Sequence, residues 1–392
     1  MDGQTVTEAK ESFEEWVAAM LQSIHRKGYR APDIRRVYIP KPGKQEKRPL
    51  GVPTVADRAL QRSASQVLST IYEQDFLPCS FGGRLGRGAH QALATLNERI
   101  AGGKIEWVLE ADLKNFFGSL SHEWMLRFMK HRVGNQRLIS LRRWLKAGVL
   151  EDGEVHPSEE GTPQGGSVSV LLSNVYLHYV LDLWFERVVK PRLRGEACMV
   201  RYRRLRAVFP IWSGRSPRSE STCEEAGKVQ ADLGTEEDQA CRIWSLCVSA
   251  CQQTWPETLG DDLLSGFTLY CTRNRKGNFR IGMRTEKTRL RRALTRLQDQ
   301  MRQMRHLSLQ DQVNHLNQML RGHYVYYGIG GNFRSLQRVH RAVERYWRKM
   351  LSSRSWHGTI YWTHFQRIKE QFPLLRPKLY LPYTELQAIA VL

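Results

Sequence analysis

The chain has 392 residues, 41% of them hydrophobic, and a net charge of +21. That length leaves room for two or three domains and a large core, and the apolar fraction is that of a soluble globular protein. No apolar run approaches membrane-spanning length, the start Met1-Asp2-Gly3-Gln4 does not read as a signal peptide, and seven cysteines without paired spacing suggest neither a disulfide framework nor a zinc finger. A cytoplasmic protein that holds a polyanion is expected, RNA or DNA before an acidic membrane.

In chain order, Phe13, Trp16, Val17, Met20, Leu21 and Ile24 recur at helical spacing, with Thr5 and Glu8 placed as a capping box. A core-facing helix is predicted there. Arg35 to Pro40 and Arg48 to Pro53 read as two strands around a Gly-Pro turn crowded with cations. The turn is either a solvated charged tip or a finger reaching phosphates. A helix follows from Thr54 and Asp57 to about Phe76. Ser80-Phe-Gly-Gly-Arg84-Leu-Gly-Arg87 then interleaves glycines with arginines ahead of a helix, as an anion nest does.

Trp107-Val-Leu-Glu-Ala-Asp112 is apolar and β-prone and ends in one carboxylate, followed by Phe116 and Phe117. A carboxylate at the end of a buried strand is costly unless a cation or hydrogen bonds compensate it. Asp112 is therefore either a cap for the next helix or a Mg²⁺ ligand. Two core helices follow, near Trp124–Met129 and Leu138–Leu145, and Asp152-Gly153 marks a hairpin turn. Gly161-Thr-Pro-Gln164-Gly165-Gly166 opens a long helix through Leu183, with glycines that allow close backbone approach.

The order Tyr38-Ile-Pro-Lys-Pro, Arg48-Pro-Leu-Gly-Val-Pro-Thr, Phe81-Gly-Gly-Arg, Ala111-Asp-Leu-Lys-Asn-Phe-Phe117 and Gly161-Thr-Pro-Gln-Gly-Gly resembles the group II intron reverse transcriptase/maturase family. The match runs from near Gly3 to Tyr202 and resumes from Gly266. The resemblance implies an α+β right-hand polymerase. Fingers would span 1–106, the first part of a palm 107–202, a remnant palm hairpin 266–284, a helical thumb or maturase domain 285–352, and its tail 353–392. It implies that Asp112 binds the catalytic Mg²⁺ ions with help from the Leu113 backbone carbonyl, and that Phe117 lies under the sugar as a gate against ribonucleotides. Gln164 and Gly165 would contact the templating pair, and Arg84 with Lys47 or Arg48 the incoming phosphates. Implied partners are structured intron RNA, a DNA primer or target, and deoxynucleotides. The start is read as short of the extra N-terminal residues such proteins carry, which could weaken RNA binding.

Two Mg²⁺ ions about 3.5–4 Å apart would stabilise the attacking and leaving oxygens of nucleotide transfer. Hard cations want oxygen ligands, so one carboxylate is too few. The family supplies the others from a Tyr-x-Asp-Asp hairpin. Here the sequence reads Tyr202-Arg203-Arg204-Leu205-Arg206, with cations where acids belong. From Arg203 to Ser265 the helix and strand patterns dissolve, and most of the cysteines fall in this stretch.

An out-of-frame reading accounts for this. Codons for Arg203 to Arg206 can, one base in, read Asp-Asp-Phe. At the same offset Gly234 to Trp244 admits Gly-Leu-Lys-Lys-Thr-Lys-Leu-Val-Glu-Phe-Gly, and Gly260 to Ser265 hides Glu-Thr-Ile-Tyr-Phe-Leu, which joins Gly266-Phe267 as the family expects. Gly260-Asp261-Asp262 lies too late in the chain to be a polymerase motif and takes no role. The expectation is a palm disrupted over a disordered 203–265, doubtful Mg²⁺ binding and no polymerase activity. The alternatives are an active RNA-directed DNA polymerase whose shift is a sequencing artefact, a non-catalytic RNA-binding maturase, or a product that does not fold.

After Gly266, Phe267–Cys271 and Phe279–Met283 form a plausible hairpin. Three helices follow, from about Leu290, Val313 and Val339. The third carries Arg338, Arg341, Arg345 and Arg348 among aromatics, a pattern suited to RNA backbone and base stacking. The aromatics are read as core and the arginine face as RNA-binding.

Overall fold

A computed structural model describes residues 4–25, 31–40, 45, 47–102, 105–111, 116–134, 142–145, 147–151, 154–156, 161, 166, 168–192, 196–202, 204–210, 258–264, 266–274, 277, 279–354 and 358–391. For residues 48, 105–111, 142, 143, 149, 204–210 and 258–264 it describes the backbone alone. Within those limits the fold is α+β, with three small sheets and three apolar cores.

The N-terminal part follows its local signals. Helix α1 (Val6–Glu11) begins with the capping box, in which the Glu8 amide donates to the Thr5 hydroxyl and the Thr5 amide to the Glu8 carboxylate. Helix α2 (Phe13–His25) corrects an expectation. It forms where the periodicity placed it, yet none of its residues is buried, and Phe13 is 59% exposed. Strands β1 (Ile34–Pro40) and β2 (Lys47–Val52) make the antiparallel cationic hairpin. Strands β4 (Val149–Glu151) and β5 (Glu154–His156) pair antiparallel, the expected turn residues Asp152 and Gly153 lying outside the described residues, and β4 pairs with β1 in parallel. Glu151 clamps this sheet by accepting from the Arg36 guanidinium at 2.8 Å and from the Tyr38 hydroxyl.

Helix α3 (Val55–Tyr72) is capped by Thr54, whose hydroxyl accepts from the Asp57 amide. It packs with α5 (His122–Arg132) and α6 (Ser169–Leu177) around the first core, which holds Leu68, Tyr72, Met129, Val175 and Phe185. Beyond Leu177 the helix loosens into π turns at His178–Asp182 and Phe185–Val189.

The next sheet has strand order β3-β7-β6, from β3 (Ile105–Ala111), β7 (Arg204–Pro210) and β6 (Cys198–Tyr202), all antiparallel. A strand at 204–210 was not expected. Ala207-Val-Phe209 is β-prone, and the arginines before it hide the pattern. A second strand, β8 (Thr258–Leu264), pairs with β9 (Phe267–Arg273), which pairs with β10 (Phe279–Thr285). Residues 211–257, the bulk of the segment read as out of frame, lie outside the described residues.

The remainder is helical: α7 (Lys287–Gln303), α8 (Leu309–Tyr327), α9 (Phe333–Ser352), α10 (Trp362–Gln371) and α11 (Tyr383–Ala388). Helices α7 to α10 enclose a core of Leu297, Leu316, Leu320, Val339, Trp347 and Phe365. The buried Gln312 amide donates to the Met304, Arg305 and Leu307 carbonyls, satisfying the end of α7, while its oxygen accepts from Trp347 Nε1 at 2.8 Å. Helix α11 turns back onto α4 (Ala89–Gly102), where Leu386 closes a core shared with Phe81, Leu93, Val200, Phe267 and Met283.

Candidate functional site

The stretch around Phe117 and the glycine at Gly161 meet. Phe116–Gly118 forms one 3₁₀ turn. Gly161 sits at φ +84°, and a Cβ there would lie 2.6 Å from the Phe117 carbonyl oxygen and 2.9 Å from Gly118 Cα. Only glycine fits so close a backbone crossing. Its amide donates to the Leu120 carbonyl at 2.8 Å, and its own carbonyl lies 2.6 Å from His122 Nε2. Gly166 packs against Gln61, since a Cβ there would be 2.8 Å from Gln61 Oε1. Gln61 is buried one turn after Asp57, which accepts from Trp144 Nε1 at 3.1 Å. Helix α3 thus backs the entrance of α6, and Phe117 remains half-buried beside it.

Asp112, Leu113, Gln164 and Gly165 lie outside the described residues. Strand β3 ends at Ala111, one residue before Asp112. Ala111 pairs with Leu205, and Glu110 with Arg206. Strand β7 pairs in turn with β6, Leu205 with Arg201 and Arg204 with Tyr202. The backbone that faces the end of β3 is therefore Arg204-Leu205-Arg206.

Lys47 opens β2, exposed and opposite Pro40, and Arg48 stands opposite Ile39. Two arginines expected to meet nucleic acid are engaged within the protein. Arg84 has a side chain 3% exposed. Its Nη1 donates to the Leu77 and Ser80 carbonyls at 2.8 Å each, and Nε and Nη2 go to Glu73. The guanidinium is a tie for the turn after α3, because a buried cation needs such partners. Arg348 donates to the Ile360 carbonyl at 2.8 Å and lies over the Trp362 ring, so it anchors α10. Arg338, Arg341 and Arg345 are exposed on α9, in line with Arg334 and Lys349. The aromatics of this helix were read as core, and Trp347 is buried and Tyr346 half-buried.

One cluster escaped the sequence reading. Arg201, on β6, is buried beside Asp182, Asn174 and Ser80. Burial acts to lower the Arg201 pKa, but the Asp182 carboxylate and its hydrogen bonds outweigh this and hold it above the ordinary value. The available signal was a charge inside each of two apolar runs, Cys-Met-Val-Arg and Val-Leu-Asp-Leu-Trp, since buried charges seldom stand alone.

Residues 39–203 match the family model for reverse transcriptase (RNA-dependent DNA polymerase). The group II intron-encoded protein LtrA of Lactococcus lactis subsp. cremoris is 34% identical over 223 residues, which cover 55% of this chain and 36% of that protein. Protein YkfC of Escherichia coli is 34% identical over 172 residues, 43% of this chain and 45% of YkfC. Nuclear intron maturase 4, mitochondrial, of Arabidopsis thaliana is 31% identical over 130 residues, 33% of this chain and 16% of the relative. The alignments thus span less than half the length of these relatives. Over residues 39–203, then, the chain is similar to reverse transcriptases, and the relatives it resembles there include group II intron-encoded proteins.

Proposed function

We propose that this polypeptide binds structured RNA through its basic surfaces and does not polymerise DNA as written. The observation that carries the reading is the register of β7. Arg204, Leu205 and Arg206 occupy the backbone beside the end of β3, where a pair of divalent cations would need carboxylates to join Asp112. These residues do not fit two Mg²⁺ ions, because cationic side chains raise the cost of assembling positive charge. The match to the family model also stops at Arg203, one residue after Tyr202.

The binding half of the proposal rests on α9. Arg334, Arg338, Arg341, Arg345 and Lys349 lie three or four residues apart, which puts them on one helix face. All five are exposed, and no ion pair with Asp or Glu is seen for them among the described residues. The row itself contains no aromatic residue, and such a row of cations reads phosphates. Intron RNA, by analogy with the relatives, is the polyanion we assign to it.

The test is primer extension on an RNA template with Mg²⁺, run beside salt-dependent RNA binding. Binding with a steep salt dependence and no extension is expected. Incorporation of deoxynucleotides would refute the inactive reading. Resequencing codons 200–266 decides the frame hypothesis separately. A continuous frame encoding Tyr-x-Asp-Asp would make this chain a misread active enzyme.

A further inference from the structure

We propose that Arg201 is a positioning residue for the polymerase centre, holding the start of β7 at a fixed depth beside the end of β3, and that this chain keeps the holder although the start of β7 carries arginines. The proposal rests on the register reading above for the identity of the centre, and on the following geometry for the role of Arg201.

Arg201 uses four of the five N–H groups of a guanidinium. Nε donates to Asp182 Oδ1 at 2.9 Å and Nη2 to Oδ2 at 2.8 Å, a two-pronged pair. Nη1 donates to Asn174 Oδ1 at 2.9 Å, and Nη2 also reaches Ser80 Oγ at 2.7 Å. Its backbone is tied as well. The Arg201 amide donates to the Cys79 carbonyl at 2.8 Å, and its carbonyl accepts from the Phe81 amide at 2.9 Å. Asn174 Nδ2 continues the chain to the Gly82 carbonyl at 2.7 Å. Gly83, at φ +69°, lies so close to Val170 that a Cβ would collide with it.

Three separate stretches therefore converge on one side chain next to Tyr202: the loop 79–83, the helix 169–182 and strand β6. Asp182 closes a π turn, and such turns often mark functional sites. The buried faces of β6 already favour one register, and the buried, two-pronged charge pair adds a fixed point to it. Stability alone would not require this arrangement, because apolar residues of similar volume usually serve a core at least as well as a buried ion pair. What the pair supplies is placement of the residues that follow it.

The test uses the full chain. Hydrogen exchange is measured across 198–208, with α9 as internal reference, for Arg201→Met and Arg201→Lys. Methionine removes the charge, and lysine keeps it but loses the fork. Exchange across 198–208 is expected to quicken about tenfold or more with methionine and by less with lysine, while α9 is unchanged. If the methionine variant does not fold, the lysine variant decides. Wild-type protection of 198–208 in either folded variant overturns the proposal.

A second arm restores acids at the start of β7 in the triple variant Arg203→Ala, Arg204→Asp, Leu205→Asp and reads Mn²⁺ binding by electron paramagnetic resonance. With Arg201 present the triple variant is expected to bind Mn²⁺, and adding Arg201→Lys is expected to weaken that binding about 10-fold or more, as loss of a supporting partner does at metal sites. Unchanged Mn²⁺ affinity in the folded quadruple variant would reduce Arg201 to scaffolding and overturn the proposal. No Mn²⁺ binding by the triple variant would instead sink the register reading, leaving the exchange arm to decide on Arg201.

Discussion

The strand region around Arg201 and the C-terminal helical bundle spend the same residue type in opposite ways. Arg201 and Arg84 are buried and surrounded by oxygen acceptors, and they hold backbone segments together. Arg334, Arg338, Arg341 and Arg345 ride on the outside of a helix whose other face is Leu336, Val339, Val343 and Trp347. The bundle is held by apolar packing and its cations are left over for a partner. Around Arg201 the cations are themselves part of what holds the fold. An arginine's use is thus set by what surrounds it, and the net charge of +21 overstates the charge on offer to a polyanion.

The comparison can be broken hardest in the bundle core. Trp347→Ala should cost about 3–5 kcal/mol by denaturant unfolding, since it removes a fully buried ring, its edge contact with Phe365 and its bond to Gln312. A loss under 1 kcal/mol would mean that packing does not carry the bundle. Arg84→Ala should cost about 3 kcal/mol, because it strands carbonyls and the Glu73 carboxylate, and should leave RNA affinity unchanged. A variant of normal stability with weakened RNA binding would return Arg84 to the phosphate-contacting group.

Glutamine at Arg334, Arg338, Arg341 and Arg345 should do the reverse. RNA affinity should fall about 100-fold, near 2.7 kcal/mol, with a salt slope reduced by about 3 and a melting curve hardly moved. An unchanged salt slope would show that α9 faces no polyanion. The smallest effect is expected at His323 on α8, packed at a tilt against Tyr327, its Nε2 without a hydrogen-bond partner among the described residues. Burial lowers its pKa to about 4. The folded state disfavours the proton, so its contribution is complete above the unfolded value near 6.5 and is lost as pH falls toward 4. Partial exposure leaves on the order of 2 kcal/mol of acid sensitivity, which His323→Leu should flatten.

Much of this fold was legible in the sequence. Thr5 and Glu8, Thr54, and Asp152-Gly153 announced a helix start, another helix start and an antiparallel strand pair, because each signal acts within four residues. The docking of Gly161 on Phe117 was not legible, since 44 positions separate them and no local rule joins them. Helix α2 failed for a different reason. Its stripe predicts an apolar face, but a stripe does not say that anything covers it. Arg348 and Arg84 failed because charge was taken for exposure, and burial is a property of neighbours distant in the chain. Strand β7 was missed since its first three residues, Arg-Leu-Arg, drew attention to charge rather than to the pairing their backbone makes.

The bond from the Val391 amide to Thr95 Oγ1, at 2.9 Å, links residues 296 positions apart. Leu386, fully buried, fills the same core as Phe81 and Leu93. During synthesis, then, the segment 81–100 leaves the ribosome long before the residues that seal it, and must wait with apolar side chains unsheltered. A nascent chain of this kind has a prolonged window in which a chaperone can meet it before it closes.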